Sequence, residues 1–166
     1  MNLRRASMND AAEICAITNA AIRDTVATFT TIERREAGIA ADIAMRWDAY
    51  QVIELTGHVV GFATYGPFRD GPGYAHTKEL TIHLAPQARR QGFGHALMQR
   101  LEEVATGQGV HVLVAGISAA NPQAQAFHAA CGYVETGRLR QVGFKSGQWL
   151  DLVLMQKELS EIVSDG

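Results

Sequence analysis

Arg89-Arg90-Gln91-Gly92-Phe93-Gly94-His95 decides the fold, because it joins a strand to a helix through two closely spaced glycines. Upstream, Thr77 to Leu84 reads as a strand. Leu80, Ile82 and Leu84 point to one face, and Glu79, Thr81 and His83 to the other. Pro86 ends it. Downstream, Leu97, Met98, Leu101, Val104 and Ala105 recur at helical spacing until Gly107-Gln108-Gly109. Val112 to Ile117 is then an apolar run of the buried-strand type. A strand, a crossover helix and a second strand imply a parallel pair. Glycines at i and i+2 let backbone N–H groups converge at a helix N-terminus. Unpaired amides and the helix dipole there favour a phosphate or pyrophosphate. No G-K-[ST] follows, so this is not a P-loop. Leu97 stands where a dinucleotide fingerprint needs its third glycine.

The rest of the chain arranges itself around this unit. Leu3 to Ala6 fits a short strand, and Ser7 with Asp10 a capping pair before helical Ile14, Ile17 and Ala21. Thr30 and Glu33 read as a second capping box, with Ile39, Ile43 and Trp47 on the inner face of the helix that follows. Gln51–Leu55 and His58–Tyr65 form a hairpin across Thr56-Gly57, and residues 67–74 a loop. Asn121 and Pro122 start a helix as N-cap and N1, with Phe127 and Cys131 facing inward and Gly132 at C′. Tyr133–Phe144 and Gln148–Met155 are two last antiparallel strands. The order β-α-α-β-β-β-α-β-α-β-β predicts a mixed α/β fold. Six or seven strands form a mostly antiparallel sheet with one parallel pair.

With 166 residues the chain fits a single domain, residues 1–166. Fifteen Lys and Arg against seventeen Asp and Glu argue against a general nucleic-acid binder. No apolar run approaches a membrane span, and no apolar signal segment follows the first arginines, so a soluble cytoplasmic protein is expected. Cys15 and Cys131 are the only cysteines and are expected to be free thiols. No metal-ligand spacing is present, so no metal is expected.

Arg89 to Gly94 resembles the acetyl-CoA loop of the GNAT N-acetyltransferases, [QR]-x-x-G-x-[GA]. N-P-x-A-x-x-F-H-x-x-C-G-Y at 121–133 resembles a later motif of that superfamily. Thr77-Lys78-Glu79, V-A-G-I at 114–117, V-G-F-K-S-G-Q-W-L-D at 142–151, P-F-R at 67–69, and Asn19, Thr25 and Phe29 resemble its phosphinothricin and methionine sulfoximine N-acetyltransferase branch. The resemblance implies a GNAT-like sheet with helices on both faces and a splayed parallel pair. It also implies acetyl-CoA as cosubstrate, a small amino-acid-like amine as acceptor, and a homodimer.

An alkylammonium must lose a proton before it attacks a thioester, so a base is required. By resemblance that base is Glu79, and a carboxylate partly withdrawn from water suits the task. His128 stands where many relatives have a tyrosine that donates to the departing thiolate. Its other reading is a packing histidine. By the same resemblance Arg89, Arg90, Gln91, Gly92, Phe93, Gly94 and His95 are expected to make the pyrophosphate turn, and Ile82, His83 and Leu84 to offer backbone groups to the pantetheine arm. Asn121 bonds that arm or caps its helix. Arg69 is expected at the acceptor carboxylate, with Phe29 and Tyr74 walling the pocket. Cys131 is spaced for packing, which favours direct transfer over an acetyl-cysteine route. Lys78, Leu80, Gly71 and Ala124 depart from the branch pattern, mainly on the acceptor side. The alternatives are acetylation of a peptide N-terminus or another amine, and a CoA-binding module without turnover.

Overall fold

Among the described residues, seven strands and four α-helices follow one another in the order expected from the sequence. The computed structural model describes residues 1–159. Strand β1 (Asn2–Arg5) leads into α1 (Ala11–Asp24) and α2 (Glu36–Arg46). The hairpin β2 (Tyr50–Leu55) and β3 (His58–Pro67) precedes β4 (Thr77–Leu84). Then come α3 (Phe93–Gly107), β5 (Val112–Ser118), α4 (Pro122–Ala130) and the hairpin β6 (Val134–Lys145) and β7 (Gln148–Glu158). The sheet runs β1-β2-β3-β4-β5-β7-β6, and only β4 and β5 are parallel.

That parallel ladder is short. Thr77, Lys78 and Glu79 face Val112, Leu113 and Val114, and there it stops. From Leu80 onward β4 stays with β3, while β5 stays with β7 to Ser118. The two halves of the sheet therefore diverge, leaving a wedge between two strand edges.

Each face is covered for a reason visible in the sequence. Leu97, Met98, Leu101 and Ala105 of α3 lie fully buried against Leu80, Leu113 and Ile117. Truncating one of these large side chains to alanine costs about 2–5 kcal/mol. On the other face Ile14, Cys15, Ile39 and Ile43 pack on Tyr50, Val52 and Phe62.

Three local readings need correction. The Thr30–Glu33 pair caps no helix: α2 begins at Glu36, Thr30 Oγ1 accepts from the Ile32 amide, and Glu33 pairs with Arg23. Trp47 leaves the helical face, with φ +51, 58% exposure and the Arg5 guanidinium 3.8 Å above its ring. The chain must turn there into a one-turn 3₁₀ segment to enter β2. On α4, His128 is the buried side chain, while Phe127 and Cys131 are only partly covered.

Candidate active site

The turn before α3 is shaped by its backbone. Arg90 and Gly92 both take positive φ, +61 and +81. Gly92 is the N-cap and offers no side chain to the helix; the first helical bond runs from the Ala96 amide to the Gly92 carbonyl at 3.2 Å. The amides of Phe93, Gly94 and His95 precede that bond, as in any helix start. A Cβ on Gly92 meets nothing within 4 Å, so the backbone is open to an approaching phosphate. Gly94 does a different job from the one expected. A Cβ there lies 3.0 Å from Phe127 Cε2 and 3.4 Å from Leu84 Cδ1, so this glycine lets α4 and β4 close on α3. Arg89 Nε donates to the Leu84 carbonyl at 3.4 Å, and Gln91 Nε2 to the Gln87 carbonyl at 2.8 Å.

The wedge edge of β4 can be assigned by alternation. The His76 carbonyl accepts from the His111 amide, toward β5, and the Ala85 amide donates to the Val60 carbonyl, toward β3. Successive residues of a strand alternate their hydrogen-bonding edge, so Ile82 and Leu84 present main-chain groups to the wedge. His83 does not, which corrects its expected backbone role. Its ring lies on the face covered by α1 and α2, beside Phe62, with centroids 5.6 Å apart.

Glu79 is the last rung before the strands part. Its Oε1 is 3.7 Å from where a Cβ on Gly116 would stand, so the carboxylate leans across the mouth of the wedge toward β5. It is exposed, not partly withdrawn from water as expected. Asn121 caps α4, its Oδ1 accepting from the Ala124 amide at 3.1 Å. His128 is 5% exposed, edge-on to Phe127 and Tyr133. Nδ1 donates to the Ala124 carbonyl at 2.8 Å, and Nε2 is enclosed without a partner among the described residues. Burial holds this ring below the usual histidine range. A neutral imidazole whose one N–H is already committed has no proton for a thiolate, so the geometry supports the packing reading of His128. Cys131 Sγ lies 3.5 Å from His95 Nδ1, and burial pushes its thiol up to about 11.

The N-terminus of α3 thus follows a strand whose free edge and whose Glu79 carboxylate border the wedge. The Acetyltransferase (GNAT) family matches residues 16–133. The chain belongs to the GNAT acetyltransferase family. An L-methionine sulfoximine/L-methionine sulfone acetyltransferase of Pseudomonas paraeruginosa is 34% identical over 162 residues, covering 95% of this chain and 94% of its own. A ribosomal-protein-alanine N-acetyltransferase from Brucella melitensis superposes with a TM-score of 0.91 at 39% identity, over 96% of this chain and 100% of its own. A GNAT phosphinothricin acetyltransferase from Sinorhizobium meliloti, solved with acetyl-CoA, gives 0.90 at 33% identity over 96% and 89%.

Phe29, Tyr74 and Arg69, the residues expected at the acceptor, each have contacts of their own. Phe29 packs flat on Gly143 of β6, where a Cβ would come within 2.5 Å of its ring. Tyr74 is edge-on to Phe68, and the exposed Arg69 guanidinium lies 5.4 Å over that same Phe68 ring. Other branch-like residues hold loops. Asn19 binds both the amide and the carbonyl of Arg34, and Lys145 Nζ donates to the Thr28 carbonyl at 2.9 Å. Asp151 accepts from the Gln141 amide at 2.8 Å, securing the bulge where β6 slips against β7. A cavity of about 140 Å³ under α1 and α2 is walled in part by Arg46, Thr64, Thr81 and His83. Of these, Arg46 and Thr64 carried no signal in the sequence. Among the described residues no group of His, Cys, Asp and Glu gathers to hold a metal, and no helix is long and apolar enough to cross a membrane.

Burial, with Arg89 nearby as the lesser cause, pushes His83 down to about 4. The unfolded chain then binds protons that the folded chain refuses, so His83 lowers stability as pH falls from 6.5 toward about 4. His128 acts in the same direction. His83→Gln is expected to flatten the fall in melting temperature across that window. An unchanged slope in calorimetric melts would refute the assignment.

Proposed function

We propose that this enzyme transfers acetyl from acetyl-CoA directly to the α-amine of a small amino-acid-like acceptor. The class is that of methionine sulfoximine, methionine sulfone or phosphinothricin. One observation carries the reading. The parallel ladder ends at Glu79, and the Glu79 carboxylate lies across the opening toward Gly116. The turn at Arg90–His95 anchors the pyrophosphate through main-chain amides, with the cation of Arg90 beside it. Ile82 and Leu84 hold the pantetheine arm as an added strand would be held. Acetyl-CoA supplies the activated acyl group. Glu79 takes the proton from the acceptor ammonium, directly or through a water; the freed lone pair attacks the thioester carbonyl, and the C–S bond breaks as coenzyme A leaves as a thiolate that takes a proton from water.

Cys131 supports direct transfer, because a thiol raised to about 11 by burial is not a thiolate at neutral pH. Initial rates at varied acetyl-CoA and acceptor are expected to give intersecting double-reciprocal lines. Parallel lines would demand a covalent acetyl-enzyme.

Thiol release over a panel of amines tests the acceptor class. Methionine sulfone, methionine sulfoximine or phosphinothricin is expected to outrun a short alanine-terminated peptide. The name of the Brucella relative, at 39% identity, favours a second reading, acetylation of a protein N-terminus. Turnover of the peptide alone would establish it.

A homodimer is part of the same proposal. The edge hairpin exposes Val142, Phe144 and Trp149 at 54%, 55% and 64%, with the two aromatic rings 4.7 Å apart. Such a contiguous apolar strip on an edge strand suits a second copy. Sedimentation is expected to show a dimer that Phe144→Lys with Trp149→Glu dissociates. A monomeric parent would end this part of the reading.

A further inference from the structure

Arg46 ends α2, where a cation is favoured by the helix dipole. Its side chain nevertheless folds back over the sheet. Nη1 donates to Thr64 Oγ1 at 3.2 Å, and Nη2 lies 3.0 Å from where a Cβ on Gly66 would stand. Thr64 and Gly66 are opposite Thr81 and Glu79 in the β3–β4 ladder. Directly opposed residues project on the same face, as Phe62 and His83 do one step further along. The guanidinium therefore hangs over the strand pair that carries Glu79, on the Glu79 side of the sheet.

The charges around it do not cancel. Arg34, the other arginine in the cavity wall, is matched by Asp42 at 2.9 Å. The His83 ring is neutral near pH 7. The one side-chain partner of Arg46 among the described residues is a neutral hydroxyl, and a guanidinium has five N–H donors. A half-buried cation with spare donors and no counter-ion is a receptor for a carboxylate, the group whose planar geometry its fork matches. Arg69 is exposed and lies over Phe68, beyond the end of β3.

We propose that Arg46 binds the α-carboxylate of the acceptor and so selects amino acids over simple amines. The proposal rests on the amino-acid reading above and deepens it. Glu79 leans toward β5, while Arg46 stands over β3. The two groups thus flank β4 from opposite sides. An α-amino acid carries its amine and its carboxylate on one carbon and can meet both at once. Gly66 leaves room for the guanidinium: a Cβ there would lie 3.0 Å from Arg46 Nη2, which would have to give way by a few tenths of an ångström.

The test compares kcat/KM for methionine sulfone with that for its decarboxylated amine, which keeps the sulfone head and loses the carboxylate. Wild type is expected to prefer the amino acid by about 10–100-fold, the range of a charge-assisted hydrogen-bonded pair. Arg46→Gln is expected to abolish most of that preference through KM, with acetyl-CoA affinity by calorimetry unchanged. Arg46→Lys should retain part of it. Gly66→Ala, which keeps the charge but nudges the guanidinium, should lower the preference by a smaller factor. An intact preference in both Arg46→Gln and Gly66→Ala would overturn the proposal, as would loss of preference confined to Arg69→Gln. A wild-type enzyme that acetylates neither small amine but accepts the peptide overturns the acceptor reading itself, and the wild-type arm alone reveals that case.

Discussion

Glu79→Gln is expected to lower turnover by about 10²–10⁴-fold, the usual contribution of a positioned general base. The replacement is nearly isosteric and removes only the capacity to take a proton. Glu79 is exposed and accepts no hydrogen bond among the described residues, so no packing is lost. Its removal should shift stability by no more than about 0.5 kcal/mol, as at other surface positions. Acetyl-CoA affinity should hold, because the anchoring turn lies beyond the far end of β4. The pH profile separates a lost base from a lost contact. With the base gone, activity depends on the fraction of acceptor already deprotonated in solution. The deficit should therefore shrink as pH rises toward the pKa of the acceptor amine. Undiminished turnover at neutral pH removes Glu79 from the role of base, and a uniform deficit at all pH values assigns it to binding.

The parallel pair was legible in the sequence because its makers are local, whereas its splay came only with the family resemblance. Two glycines at i and i+2, a strand with alternating faces and a crossover helix announce a parallel pair. The matching motifs then place Glu79 beside it. The N-cap at Asn121 is similarly local, since Asn-Pro has few other uses. What escaped depended on tertiary approach. Gly94 looks in sequence like a second amide-orienting glycine; only the packing of Phe127 shows that it is there to be small. His128 looks like a proton donor until both of its neighbouring rings and the Ala124 carbonyl are in place. Arg46 gave no signal, because a basic residue in a last helical turn is ordinary and its contacts, Thr64 and Gly66, lie eighteen and twenty residues away. The capping box at Thr30 and Glu33 failed for the opposite reason. Its residues match the motif, but Asn19 ties the main chain at Arg34 and delays the helix to Glu36.

Gly92→Val is expected to weaken acetyl-CoA binding by about 10²-fold. Valine at φ +81 is a backbone outlier, costing on the order of 1–3 kcal/mol wherever the surroundings enforce it. Nothing enforces it strongly here, since the position is exposed and a Cβ meets no protein atom within 4 Å. The turn should relax to negative φ and swing the helix-start amides off their common target. Where it does not relax, the isopropyl group stands where a phosphate must approach. Both outcomes cost affinity and neither touches Glu79, so kcat at saturating acetyl-CoA should stay near wild type. Gly94→Ala supplies the contrast. Its methyl would lie 3.0 Å from the Phe127 ring, which must give by a few tenths of an ångström, and the larger effect should be a lower melting temperature. Calorimetric titration of acetyl-CoA beside thermal melts of the two variants separates these costs. Normal binding by Gly92→Val would show that the diphosphate is held somewhere other than on these amides.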